Sequence, residues 1–432
     1  MKLAHSAGIN GEPELVSKHI AEVAEACALR ARAFDAEEEA RLIGFYHDVG
    51  KLGEPFQRRL RGQASGIDHW SLGAYAAFEA FGAGQGRAAM LCVLGHHLGI
   101  PGGMRSSLRV RSPKALAISH PEELTLSPST MEELRALLAE HVGPAPPLPT
   151  APFIADREYA NEPAKAMLKT RMLFSCLVDA DFRMTEQHFL GPDSSPPRCA
   201  LDAKAVLEAL DAAVMGLRSR PCGAMVRAVR EQVMREARVA AENGRPLLTL
   251  TAPTGSGKTL ALLGFALERA ILANHRRIIV VLPYLSLLQQ TVEIYREILA
   301  QAYPGVPLDQ LLLEDHSLAP NPADTESNDK TAGATSAARR CLATDWDAPF
   351  IITTNVQFLE SLHSNRPGSC RKLHNIVNSV VLMDEVQTLP RHLALPTLAS
   401  LSTVAHDLRS TIVLSTATQP AFQEFDAKVR SD

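Results

Sequence analysis

One stretch constrains the fold more than any other: LLTLT-APTGSGKT-LALLGFALERAI, residues 247–271. An apolar run of strand length enters a glycine-rich loop, and a run with helical apolar spacing leaves it. The glycines let backbone N–H groups converge on phosphate oxygens, and the following helix N-terminus favours negative charge. In such a loop Thr254, Gly255, Ser256 and Gly257 form the cradle. Lys258 reaches the β- and γ-phosphates of ATP, and Thr259 holds its magnesium. Ala252 stands where the commonest form has glycine.

Further apolar runs at 278–283, 350–354, 380–384 and 411–416, with helical stretches between several of them, predict a parallel sheet covered on both faces. VVLMDEVQ supplies the complementary carboxylates. Asp384 at a strand end suits magnesium, and Glu385 suits orientation of the attacking water. Gln387 and the tetrapeptide Ser415, Thr416, Ala417, Thr418 stand where a motor couples its nucleotide site to a strand-binding face. TTNVQFLESL and LPYLSLLQQT carry polar groups fit for phosphodiester contacts, and equally for helix capping.

The first half reads differently. From about Glu12 to Phe189 apolar positions recur at helical spacing, with a proline-rich break at 144–152 and a restart at Pro163. The expected architecture is multidomain: an all-α domain over 1–190, a connecting segment over 191–215, and an α/β domain over 216–432. GPDSSPPRC, 191–199, is the linker candidate, and the polar run 319–338 is expected to be an exposed insertion.

Within the helical half, FYHDVGK places His47 and Asp48 side by side. His19, His69, His96, His97, Asp179 and Asp181 are the further candidate metal ligands, spaced as expected for side chains converging from several helices. One histidine on an apolar helix is more often structural. The pairs His47-Asp48 and His96-His97 favour a metal, since GHHLG is awkward to bury without a partner. Mixed histidine–carboxylate sites suit manganese, nickel, cobalt, iron or zinc better than calcium. His5, His120, His141 and His188 lack that context and are read as surface residues.

Composition sets the bounds. With 432 residues, 46% hydrophobic and 21% charged, the chain is long enough for two or three cores. Its net charge of -4 confines any nucleic-acid track to a local patch. Seven dispersed cysteines form no C-x-x-C pair, which predicts reduced thiols. No membrane span is expected, and a cytoplasmic location is the default.

In this order HIAEVAEAC, HDVGK, DHWSLGA, GHHLG and LVDADF resemble the HD nuclease domain of the CRISPR-associated helicase-nuclease of type I interference systems. APTGSGKT, DEVQ and STATQP resemble the first RecA-like lobe of its superfamily 2 helicase. The resemblance implies a metal-dependent single-strand deoxyribonuclease and ATP-driven translocase, recruited to an RNA-guided surveillance complex. It implies His19, His47, Asp48, His69, His96 and His97 as ligands of a divalent metal (Mn, Ni, Co, Fe or Mg), with Asp179 or Asp181 completing the set. Lys51 is implied as a charge stabiliser, and Lys258, Thr259, Asp384 and Glu385 as ATPase residues. Gln387 departs from the histidine of many such motors.

The chain ends shortly after STATQP. A second RecA-like lobe is therefore expected to come from elsewhere, such as a separate chain, and unwinding by these residues alone is not expected. The competing readings are an HD-type nucleotide phosphohydrolase and a non-catalytic docking module.

Overall fold

In the computed structural model, residues 1–82, 86–102, 108–191, 199–219, 221–316 and 345–417 are described. The chain divides into two compact units: 1–195 together with 363–374, and 196–362 together with 375–432.

The first unit is helical, as its apolar spacing predicts. It opens on a short antiparallel hairpin absent from the sequence reading, β1 (Leu3–Ala7) and β2 (Pro13–Leu15), which runs directly into α1 (Val16–Ala31). Then follow α2 (Glu37–Tyr46), α3 (Glu54–Leu60), α4 (Ser71–Phe81) and α5 (Gly86–Leu98), and later the long helix Pro163–Leu190. On α1 the residues Val16, Ile20, Val23, Ala24, Cys27, Ala28 and Ala31 are buried. These fall at three- and four-residue intervals and form one stripe. His19 belongs to that stripe, so the hydrophobic effect that seats the helix also carries an imidazole inside.

The second unit is built on a six-stranded, fully parallel sheet. Its strand order is Leu247–Thr251, Thr411–Thr416, Ser379–Met383, Arg277–Leu282, Phe350–Thr354 and Leu312–Asp315. Five of these strands match the five apolar runs of the sequence to within a residue. The sixth, Leu312–Asp315, has only four residues and ends on two acids, so it carries no strand signature.

The segment expected to connect the domains holds instead the helix Ala203–Arg218. Its Ala203, Val206, Ala209 and Leu210 join the core of the sheet unit. Residues 363–374, expected within the α/β domain, belong to the helical unit. Most of the linker candidate (192–198) and the polar run 319–338 lie outside the described residues. Among the described residues no helix is long and apolar enough to cross a membrane.

Candidate metal centre and nucleotide site

α2 ends at Tyr46, and His47 continues in helical conformation, while Asp48 leaves it and leads into the one-turn 3-10 helix Val49–Leu52. Gly50 is required there by contact, since a Cβ would overlap the His69 carbonyl oxygen and lie 2.5 Å from that of Ser127. We expect Gly50→Ala to lower stability by about 1–3 kcal/mol, the usual range for overpacking, read by thermal unfolding.

His19, His47, Asp48, His69 and His96 are all buried. The two oxygens of Asp48 face different imidazoles. Oδ1 lies 3.4 Å from His69 Nε2, 3.5 Å from His96 Nε2 and 4.0 Å from His97 Nε2. Oδ2 lies 3.3 Å from the Nε2 atoms of both His19 and His47. Asp181 Oδ1 closes the second group, 3.4 Å from His19 Nε2 and 3.7 Å from His47 Nε2. The donors thus form two sets sharing one carboxylate: Asp48, His69, His96, His97 and His19, His47, Asp48, Asp181, each with its ligand atoms within 4.8 Å of one another.

Several rings are oriented from behind. His47 Nδ1 donates to the Gly44 carbonyl at 2.6 Å, and His96 Nδ1 to that of Val93 at 2.7 Å. With the proton on Nδ1, each Nε2 presents a lone pair to the cluster, the arrangement that metal-binding histidines use. His96 Nε2 and Asp48 Oδ1 are buried and have no hydrogen-bond partner among the described residues. Buried polar atoms left so are costly, and a divalent cation among them satisfies both, so the residues present fit a metal. His97 has a side chain 35% exposed and forms the open edge of the cluster.

Burial by itself would raise the Asp48 carboxyl, but the charges of Lys51 and His47 outweigh it and hold it well below the usual range. Burial pulls His19 the other way, yet the neighbouring carboxylates of Asp181, Asp48 and Glu14 raise it to about 10. The Lys51 ammonium lies 2.7 Å from Asp48 Oδ2.

The structure separates the two aspartates that the sequence left open. They are two residues apart on one helix and so point roughly 200° apart. Asp181 joins the cluster; Asp179 does not. Asp179 is buried between the guanidinium groups of Arg30, at 2.5 Å, and Arg371, at 2.7 Å. Burial raises its carboxyl, and Arg30, His374 and Arg371 more than reverse that. Asp179→Ala is expected to cost about 3 kcal/mol, since it leaves buried cations unpaired. Asp181→Ala should cost less stability and more divalent affinity. Denaturant unfolding and metal titration of the pair check this.

Two surface assignments are overturned. His120 Nε2 lies 2.8 Å from Asp68 Oδ2, its side chain only 5% exposed. His5 is bonded to Glu14 and Lys51 beside the cluster. The hairpin was the missed signal, since it turns an N-terminal tail into a wall of the site.

In the sheet unit three adjacent strands end together. The phosphate loop follows Leu247–Thr251, the strand Thr411–Thr416 lies beside it, and Asp384 follows Ser379–Met383. Crevices at the carboxyl ends of parallel strands are where such folds bind ligands. Gly255 and Gly257 adopt φ of 77° and 79°, which non-glycine residues seldom do, and the helix begins at Lys258.

Lys258 Nζ lies 2.8 Å from Glu385 Oε1 and 3.2 Å from Asp384 Oδ1. Ser415 Oγ donates to Asp384 Oδ1 at 2.8 Å. Gln387 Nε2 donates to Glu385 Oε2, and Thr416 Oγ1 to Gln387 Oε1, both at 2.5 Å. Glu385 also accepts from the Ala417 backbone. It holds a left-handed φ of 51°, which costs energy unless its surroundings fix it. Burial would raise its carboxyl, and the hydrogen bonds from Lys258 and Gln387 keep it low. All the expected nucleotide residues therefore lie at one crevice or on its loop; Ser256 is buried, Thr259 half-buried, and Thr254 exposed on the loop. Thr418 lies outside the described residues.

A helical unit with a shared-carboxylate His/Asp cluster is thus followed in the chain by a unit whose parallel sheet carries a phosphate loop. The DEAD/DEAH box helicase family matches residues 228–425. Over 187 residues the chain is 33% identical to the CRISPR-associated nuclease/helicase Cas3 of Haloferax volcanii, covering 40% of this chain and 19% of that one. The crystal structure of T. fusca Cas3-ADP superposes with a TM-score of 0.61 at 17% identity, covering 96% of this chain and 50% of that one. A chain of a CRISPR RNA-guided surveillance complex in its pre-nicking state gives a TM-score of 0.52 at 16% identity, covering 97% and 47%. The chain is thus similar to Cas3 proteins in sequence over 187 residues and in fold over nearly its whole length, and its segment 228–425 matches the DEAD/DEAH box helicase family. It spans about a fifth of the curated relative and about half of those structural neighbours.

Proposed function

We propose that the histidine–aspartate cluster is a divalent-metal centre that hydrolyses single-stranded DNA. The phosphate-loop unit would work with it as the first lobe of an ATP-driven translocase, in type I CRISPR interference. The observation that carries the reading is Asp48, whose two oxygens face two separate sets of imidazole nitrogens, so that either set would offer it as a ligand to a divalent cation. A divalent cation held by Asp48 and these histidines would supply a water-derived nucleophile and neutralise charge on the phosphodiester. The residues do the rest. His47 and His96 keep their Nε2 lone pairs inward, Asp181 closes one set, and Lys51 holds a positive charge at the carboxylate where a phosphate oxygen would otherwise be repelled.

In the second unit Lys258 binds the phosphates of ATP, Asp384 and Thr259 hold its magnesium, and Glu385 orients water. Gln387, Ser415 and Thr416 link that site to the adjacent strand. Turnover requires a cleft between two lobes, so a second lobe, carried by further chain or by a separate chain, completes the motor. The partners are single-stranded DNA and an RNA-guided surveillance complex, by analogy with the relatives.

The test is degradation of circular single-stranded DNA by metal-stripped protein, with manganese, nickel, cobalt or magnesium restored singly. Metal-dependent opening of the circles supports the endonuclease. If folded protein leaves them intact with every metal yet hydrolyses nucleotides, the site is a nucleotide phosphohydrolase. If it does neither, the chain is a docking module.

A further inference from the structure

Behind the cluster runs a circuit of side chains that includes two residues the metal reading does not use, His5 and Glu14. His5 on β1 and Glu14 on β2 are directly opposite in the hairpin register. His5 Nδ1 lies 2.9 Å from Glu14 Oε2. That same oxygen lies 3.2 Å from His19 Nδ1. The other nitrogen of His5, Nε2, lies 3.1 Å from Lys51 Nζ. Lys51 Nζ and His19 Nε2 both return to Asp48 Oδ2, at 2.7 and 3.3 Å. The circuit therefore reads Asp48, Lys51, His5, Glu14, His19 and back.

Its polarity is set by chemistry. An ammonium can only donate, so His5 Nε2 accepts from Lys51. The ring proton then sits on Nδ1 and goes to Glu14. The Glu14 carboxylate also faces the buried Nδ1 edge of His19, whose opposite nitrogen, Nε2, faces Asp48. The circuit is shielded, with side chains of His5, Glu14 and His19 only 14%, 2% and 0% exposed. The hairpin is also tied to the turn that carries Lys51. Gln57 accepts from Leu3 N and donates to Leu3 O and Lys51 O, at 3.0, 2.9 and 2.7 Å.

We propose that His5 and Glu14 are positioning residues of the cluster: Glu14 orients His19 toward the metal, and His5 holds the Lys51 ammonium against Asp48. The proposal rests on the divalent-metal nuclease reading and adds the division of labour between the two residues. Loss of a carboxylate behind a ligating histidine lowers metal affinity about 10- to 100-fold. Loss of His5 leaves the Glu14–His19 contact in place but frees a flexible four-carbon stem. Metal affinity then persists while the chemical step slows.

The experiment is manganese titration calorimetry of the full chain, with kcat and KM on single-stranded DNA and a thermal midpoint for each variant. Glu14→Ala is expected to weaken Mn²⁺ by about 10- to 100-fold, with Glu14→Gln, which keeps an acceptor without the charge, falling between it and wild type. His5→Phe is expected to leave Mn²⁺ affinity within about twofold and lower kcat about tenfold at unchanged KM, the pattern of an interaction made in the transition state. Wild-type Mn²⁺ affinity in folded Glu14→Ala, or wild-type kcat in folded His5→Phe, overturns the proposal. If Glu14→Ala does not fold, Glu14→Gln decides in its place, and wild-type affinity there overturns it. Wild-type protein that binds Mn²⁺ and cuts, with variants that match it, refutes this inference alone. Wild-type protein that binds no Mn²⁺ removes the metal reading and this inference together.

Discussion

Asp48→Ala should lower metal-dependent cleavage of single-stranded DNA by at least about 1000-fold, equivalent to about 4 kcal/mol of transition-state stabilisation. Among the described residues no other side chain belongs to both ligand sets, so no other single substitution there disables both. A histidine substitution removes one donor from one set; this one removes an anion from each. Calorimetry with Mn²⁺ should accordingly show loss of binding, whereas His97→Ala, at the open edge, should weaken it partially. Circular dichroism separates loss of the site from loss of the fold. The variant should stay folded, because the apolar stripe of α1 and the buried face of α2 seat the helices without Asp48. Cleavage by folded Asp48→Ala at the wild-type rate would move the nuclease away from this cluster altogether.

Lys258→Ala should weaken ATP binding by about 100-fold, or about 3 kcal/mol. Lys258 Nζ is paired with both Asp384 and Glu385, so its charge already sits at the crevice where phosphates would enter. Glu385→Gln should behave differently. It keeps the loop and the lysine, so nucleotide binding persists while hydrolysis is lost. Fluorescent-nucleotide titration and phosphate release distinguish the two. Basal hydrolysis by these residues alone should be low, because the catalytic cleft needs a second lobe. Strong DNA-stimulated turnover by this chain in isolation would contradict that account.

The sequence was most informative where chemistry is local in the chain. The phosphate loop, its flanking strand and its helix are contiguous, and three- to four-residue periodicity places His19 on the buried face of α1. Continuous apolar runs foretold five strands because a strand buried on both faces has no polar side to show. The short edge strand Leu312–Asp315 escaped, as did the hairpin Leu3–Ala7 and Pro13–Leu15, since pairing between short polar strands leaves no periodic trace.

By itself, then, the sequence determined the residue types, the helix faces and the order of the motifs, all consequences of backbone geometry over a few residues. Only the tertiary structure decided which groups meet. It chose Asp181 over Asp179, because the helix directs one toward His19 and His47 and the other toward Arg30 and Arg371. It moved His5 from the surface into contact with Glu14 and Lys51, and placed 363–374 in the helical unit. Apart from His5–Glu14, these are contacts between residues far apart in the chain, 46 positions for His5–Lys51 and 192 for Asp179–Arg371. No window of sequence spans such distances; burial and charge pairing settle them once the chain has collapsed.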